Sequence, residues 1–111
     1  MLYLSNAFSG SMLLANILPR KGMVGVVIKR FDVDDVRRRL DRDEFTSIVG
    51  HADMASVLTN MLGKEVKFNR VSTSLELGDE LIWAQYDGPR LAEGATSLPE
   101  GAKVVFLGIR L

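Results

Sequence analysis

One stretch of this chain has an unambiguous period. Met54, Val57, Leu58, Met61 and Leu62 recur at i, i+3, i+4, i+7 and i+8, the spacing that lays apolar side chains along one face of an α-helix. The other apolar runs, around Met23–Ile28 and Val104–Ile109, are strand-sized. None approaches the roughly 18 apolar residues that a membrane-crossing helix needs. A chain combining a strong helical stripe with several strand-length runs packs helices on a sheet. In 111 residues there is room for one hydrophobic core. Residues 1–111 therefore read as a single compact domain of α/β (α+β) class, a mixed β-sheet flanked by helices.

Local signals set the expected elements. Leu2–Leu4 opens as a short strand. Ser9-Gly10-Ser11 before Met12, Leu13, Leu14 and Ile17 is a helix start, and Pro19 ends that helix. Gly22–Lys29, rich in Val and Ile, reads as a buried strand. Asp32 caps a second helix reaching about Leu40, with Asp34 and Asp35 in its first turn and Arg37, Arg38 and Arg39 towards its end, as the helix dipole favours. Phe45–Val49 is a strand. The Met54–Leu62 helix follows, with Gly63 placed to terminate it. Phe68–Glu76 and Glu80–Tyr86 flank Leu77-Gly78-Asp79 and read as a hairpin. Gly88–Gly101 is a loop, and Lys103–Arg110 a closing strand.

Charge narrows the function classes. The formal net charge is zero and there is no Cys. A neutral chain lacks the broadly basic surface that grips duplex DNA, although a local phosphate pocket stays open to it. The absence of Cys removes disulfides, thiolate nucleophiles and Cys-ligated zinc, and suits a cytoplasmic protein. The N-terminus has no basic segment followed by an apolar one, so neither a signal peptide nor a membrane span is expected. One His and scattered carboxylates make no metal signature, and no cofactor motif is present. The charge-dense segment Lys29–Glu44 cancels its own signs and reads as a solvated helix face with local ion pairs.

His51 is the one side chain suited to proton transfer near neutrality. It follows Gly50 at the start of the Met54–Leu62 helix, where free backbone N–H groups and the positive dipole end favour an anion such as phosphate. A His there either caps and packs, or donates a proton to a leaving oxygen. Asn6 through Ser11 forms a second strand-to-helix turn with Ser9 and Ser11 hydroxyls. It is an ordinary cap, or it grips a phosphate or reads a base edge, and it lacks the Lys and glycine spacing of a P-loop. Arg70 and Arg90 offer planar forks that match phosphate oxygens. Glu93, in Arg90-Leu91-Ala92-Glu93-Gly94, is a surface carboxylate or a group that orients a hydroxyl. Trp83 and Tyr86 stack on a base or pack in the core.

These residues fall in an order that resembles the viral ring nucleases, the type III anti-CRISPR family of viruses and mobile elements. Leu4-Ser5-Asn6-Ala7-Phe8-Ser9 with Ser11-Met12-Leu13 resembles the family's first signature. Ser47-Ile48-Val49-Gly50-His51 resembles the second, Asn69-Arg70-Val71 the third, and Pro89-Arg90-Leu91-Ala92-Glu93-Gly94 the fourth. The resemblance implies a homodimer that binds cyclic tetra-adenylate in a pocket across its two-fold axis. It implies metal-independent cleavage to linear di-adenylates, which silences type III CRISPR signalling in the host prokaryotic cell. By motif, His51 takes the catalytic position and Glu93 the assisting one. Asn6, Ser9, Ser11, Gly50, Arg70 and Arg90 take the substrate-binding positions. His51 is expected to act as imidazolium on the departing 5′-oxygen. The competing reading is a sponge that binds the cyclic nucleotide without cutting it.

Overall fold

The computed structural model describes residues 1–111, and both ends of the chain enter its sheet. Leu2 and Leu4 are buried in β1 (Leu2–Ser5). Phe106 and Ile109, at positions of opposite parity, are buried from opposite faces of the closing strand (Lys103–Arg110). The remaining elements are β2 (Ile28–Phe31), α1 (Val33–Arg42), β3 (Thr46–Ser47), α2 (Ala52–Leu62) and β4 (Glu80–Asp87), so the closing strand is β5. The spatial order is β2-β5-β4-β1-β3. Strand β1 runs parallel to both β3 and β4, whereas β5 runs antiparallel to β4 and β2. The result is a five-stranded mixed sheet with two α-helices.

Both helices start as the sequence dictates. Asp32 accepts from the Asp35 backbone N–H at 2.8 Å, and Asp35 returns the bond to Asp32 at 3.3 Å, a reciprocal capping box. The Met54–Leu62 stripe becomes the buried face of α2, where Val57 and Leu58 are fully enclosed. Each such burial contributes about 1.5–3 kcal/mol. Together the helices cover one face of the sheet and close a cluster of 15 buried residues. The opposite face has no α-helix. Its cluster of five (Ile48, Leu75, Leu81, Trp83 and Ile109) is covered by Phe8, Met12 and Leu13 from the segment after β1.

Three expectations change. The helix after Ser9 is only a 3-10 turn, Gly10–Leu13. The Met12 carbonyl accepts from the Leu75 N–H at 2.8 Å, so it is committed outside any α-helical ladder. Ser9 still caps, accepting from the Ser11 N–H. There are consequently two α-helices, not three. Gly22–Lys29 is not a buried strand: β2 starts at Ile28, and Met23 and Val27 are exposed at 95% and 72%. The run lies beside an edge strand where no second layer covers it, and periodicity cannot report that. Phe68–Glu76 makes no hairpin with β4. Both edges of β4 are already occupied, by β1 and β5, so the segment makes only a single parallel bridge, Val49 to Phe68. The hairpin in the fold is β4–β5, joined through residues 88–102. No helix is long and apolar enough to cross a membrane.

Candidate functional site

Open sheets place ligand sites outside the carboxyl ends of their parallel strands. Here the topology sends every candidate residue to that rim. Asn6, Ser9 and Ser11 leave the end of β1, and Gly50-His51 lies between β3 and α2. Arg70 follows the Val49–Phe68 bridge, and Arg90 and Glu93 lie on the loop leaving β4. Residues far apart in the chain thereby share one edge.

The centre is tightly braced. Asn6 Oδ1 accepts from the Gly50 N–H at 3.0 Å, tying the end of β1 to the residue before His51. Asn69 locks the next segment in place. Its backbone N–H donates to the Val49 carbonyl at 2.8 Å, and its side-chain amide donates to the Ser47 carbonyl at 2.9 Å. Ser47 in turn donates to the Lys67 carbonyl at 2.6 Å. The Arg70 stem lies over Gly50: a Cβ built at Gly50 would sit 3.4 Å from Arg70 Cγ.

His51 is the N-cap of α2. Its Nδ1 accepts from the Met54 N–H at 3.1 Å, so the capping alternative from the sequence is realised. The bond also selects the tautomer. A ring whose Nδ1 accepts carries its proton on Nε2, and Nε2 has no protein partner. An imidazolium, protonated at both nitrogens, cannot accept from Met54. Charging the ring and releasing the cap are therefore one event, a coupling that the expected acid role did not include.

The loop after β4 is drawn back onto α2. Asp53, in the first turn, accepts from the Gly94 N–H at 3.0 Å. Asn60 donates to the Thr96 carbonyl at 2.6 Å, and Tyr86 donates to the Pro89 carbonyl. Where the loop leaves β4, a Cβ at Gly88 would come 2.6 Å from the Ala102 Cβ, so only glycine permits this close approach. The Asp53 contact brings Glu93 to the helix that His51 caps. Arg90 is exposed and forms no ion pair. Ser9 and Ser11 bond only to each other, at 2.8 Å between hydroxyl oxygens, and within their own turn. Trp83 is buried with its ring 5.3 Å from that of Phe8, so it packs rather than stacks on a base. Nothing local marks Asn69 or Asp53 as a brace. An acid in a first helical turn is too common to mark one.

In a single copy this rim is an open shelf. Arg70, Arg90 and Glu93 are exposed and take part in none of the ion pairs. Along this rim lie a ring N–H at the start of α2, two guanidinium groups, two hydroxyls and one carboxylate. That set can bind a phosphodiester and move a proton on it.

Comparisons with known proteins agree with this architecture. A family model described as STIV B116-like matches residues 2–104. Over 54 residues the chain is 33% identical to "Uncharacterized protein 26" of Sulfolobus islandicus filamentous virus (isolate Iceland/Hveragerdi), covering 49% of this chain and 46% of that protein. The chain thus spans about half the length of that curated relative. B116 of Sulfolobus turreted icosahedral virus superposes with a TM-score of 0.75 at 24% identity, covering 99% of this chain and 98% of that one. At that identity the likeness is one of fold.

Proposed function

This chain belongs to the STIV B116-like family, and we propose that it is a metal-independent ring nuclease that opens cyclic tetra-adenylate. The observation that carries this reading is the arrangement at the start of α2. His51 presents an unpartnered Nε2 at the residue after Gly50, over which the Arg70 stem lies, on the helix to which the Glu93 turn is tied.

The chemistry needs no external nucleophile, because each ribose 2′-OH lies beside its own 3′-phosphate. Binding has to turn the sugar until 2′-O, phosphorus and 5′-O are in line, a positioning effect. The 2′-O–P bond then forms and the P–5′-O bond breaks. The 2′-hydroxyl proton leaves to Glu93 or to water. The protonated His51 ring delivers its Nε2 proton to the departing 5′-oxygen, a role typically worth 10²–10⁴ in rate. When that ring takes its second proton it frees the Met54 N–H, and a phosphate oxygen at the helix N-terminus replaces it as acceptor. Arg70 and Arg90 stabilise charge on the non-bridging oxygens. The product is a linear di-adenylate ending in a 2′,3′-cyclic phosphate.

Closure of the shelf requires a second copy. Phe68 and Val71 flank Arg70 and are exposed at 56% and 53%. A partner related by a two-fold axis would cover them and bring a second His51 to the opposite linkage. Two cuts at opposite linkages yield dinucleotides.

The test is incubation of radiolabelled cyclic tetra-adenylate with excess protein in EDTA. Linear di-adenylate is the expected product. Intact, protein-bound ring would instead identify a sponge, and a titration without heat or thermal shift would exclude both readings.

A further inference from the structure

We infer that Asp53 is the positioning residue for Glu93, holding it against the helix that carries His51; this role rests on the ring-nuclease reading above. The turn Ala92-Glu93-Gly94-Ala95 is closed by the Ala95 N–H donating to the Ala92 carbonyl at 3.0 Å. Gly94 has φ +80°, the value that a type II turn needs at its third position. Glu93 is therefore the first of the two corner residues and Gly94 the second. In such a turn the N–H between the two corners takes no part in closing it. Asp53 Oδ1 accepts that N–H at 3.0 Å.

One peptide plane joins Glu93 to Gly94. Fixing its N–H fixes the plane, and the plane sets the direction in which the Glu93 side chain leaves the backbone. Asp53 itself stands in the first turn of a helix whose inner face is buried, so it is a rigid anchor. The other loop contacts, from Asn60 to Thr96 and from Tyr86 to Pro89, act on peptides further from Glu93. Glu93, exposed and free of ion pairs, has no other structural reason to keep one orientation.

The experiment combines four variants with two readouts. Single-turnover cleavage of cyclic tetra-adenylate gives the rate constant and Kd, and hydrogen exchange reads the Gly94 amide. D53A is expected to slow cleavage by roughly 10²-fold, the scale of a small misplacement, with Kd kept within about twofold. E93Q is expected to slow it by the same factor, and D53A/E93Q to be no slower than E93Q alone. D53N, whose side-chain oxygen still accepts, should restore most of the rate. In D53A the Gly94 amide should exchange faster while the amides of α2 keep their protection. Multiplicative effects in the double variant, or an unchanged Gly94 amide in D53A, would overturn the assignment. A wild-type chain that leaves the ring intact would overturn the reading beneath it. Gly94 exchange would then still decide whether Asp53 holds the turn.

Discussion

At the rim where the parallel strands begin, Arg39 reaches both Glu80, at 2.9 Å through Nη1, and Asp43. Lys64 pairs with Asp41 at 2.8 Å nearby. At the rim where those strands end, Arg70, Arg90 and Glu93 pair with nothing, and His51 uses one nitrogen of two. Residue types are alike at the two rims, and the difference is in satisfaction. Charges that fold the chain find their partners within it, because a partly buried charge without one is costly. Polar groups left unmatched at a braced rim stand ready for something outside the chain. The contrast suits the substrate proposed above, a polyanion: the ion pairs of the first rim are internal, and Arg70 and Arg90 at the second are free of them.

The largest expected effect is at the second rim. H51A should slow ring opening by about 10²–10⁴-fold while changing Kd little, as read in single-turnover assays. The same variant removes the cap of α2, so unfolding in urea should also show a loss of about 0.5–2 kcal/mol. Arg39→Ala inverts the pattern. Its side chain and that of Glu80 are only 23% and 19% exposed, so a loss of roughly 1–3 kcal/mol is expected, with the rate of ring opening untouched. A matching fall in rate would erase the distinction between the rims.

Acidity sharpens the comparison. The hydrogen bond from Arg39 holds the Glu80 carboxyl below its ordinary value of 4.5, against the opposing effect of burial. A carboxyl depressed in the folded state contributes stability above its unfolded value, and that contribution disappears as pH falls through the folded one. Acid titration of the wild type should therefore show a stability loss beginning below about pH 5. E80Q should begin less stable at neutral pH and lose less on acidification. The smallest effect is expected for Asp34→Ala, whose carboxylate is 71% exposed in its pair with Arg37. It should shift stability by less than about 0.5 kcal/mol.

Wherever one local rule decided an element, the residues announced it. Asp32 and Asp35 announced α1, the Met54–Leu62 stripe announced α2, and the strand-length apolar run within Lys103–Arg110 announced β5. The failures share a cause. Gly22–Lys29 and Phe68–Glu76 have strand-like composition, but whether such a run finds a ladder depends on which edges are already taken, and no single segment encodes that. The site was legible as residue types and order, because His51 after Gly50 at a helix start is a local signal. Its bracing was not. Asn6 meets Gly50 across 44 positions and Asp53 meets Gly94 across 41. Only the topology makes either pair neighbours.

His51→Asn separates the two roles of the imidazole. Asn caps a helix well and has no ring nitrogen from which to protonate a leaving oxygen. Single-turnover cleavage of cyclic tetra-adenylate in EDTA by this variant, at matched thermal stability, should show the ring bound and uncut on the wild-type timescale. Cleavage at the wild-type rate would mean that the histidine serves the helix alone, and that the unmatched rim does other work.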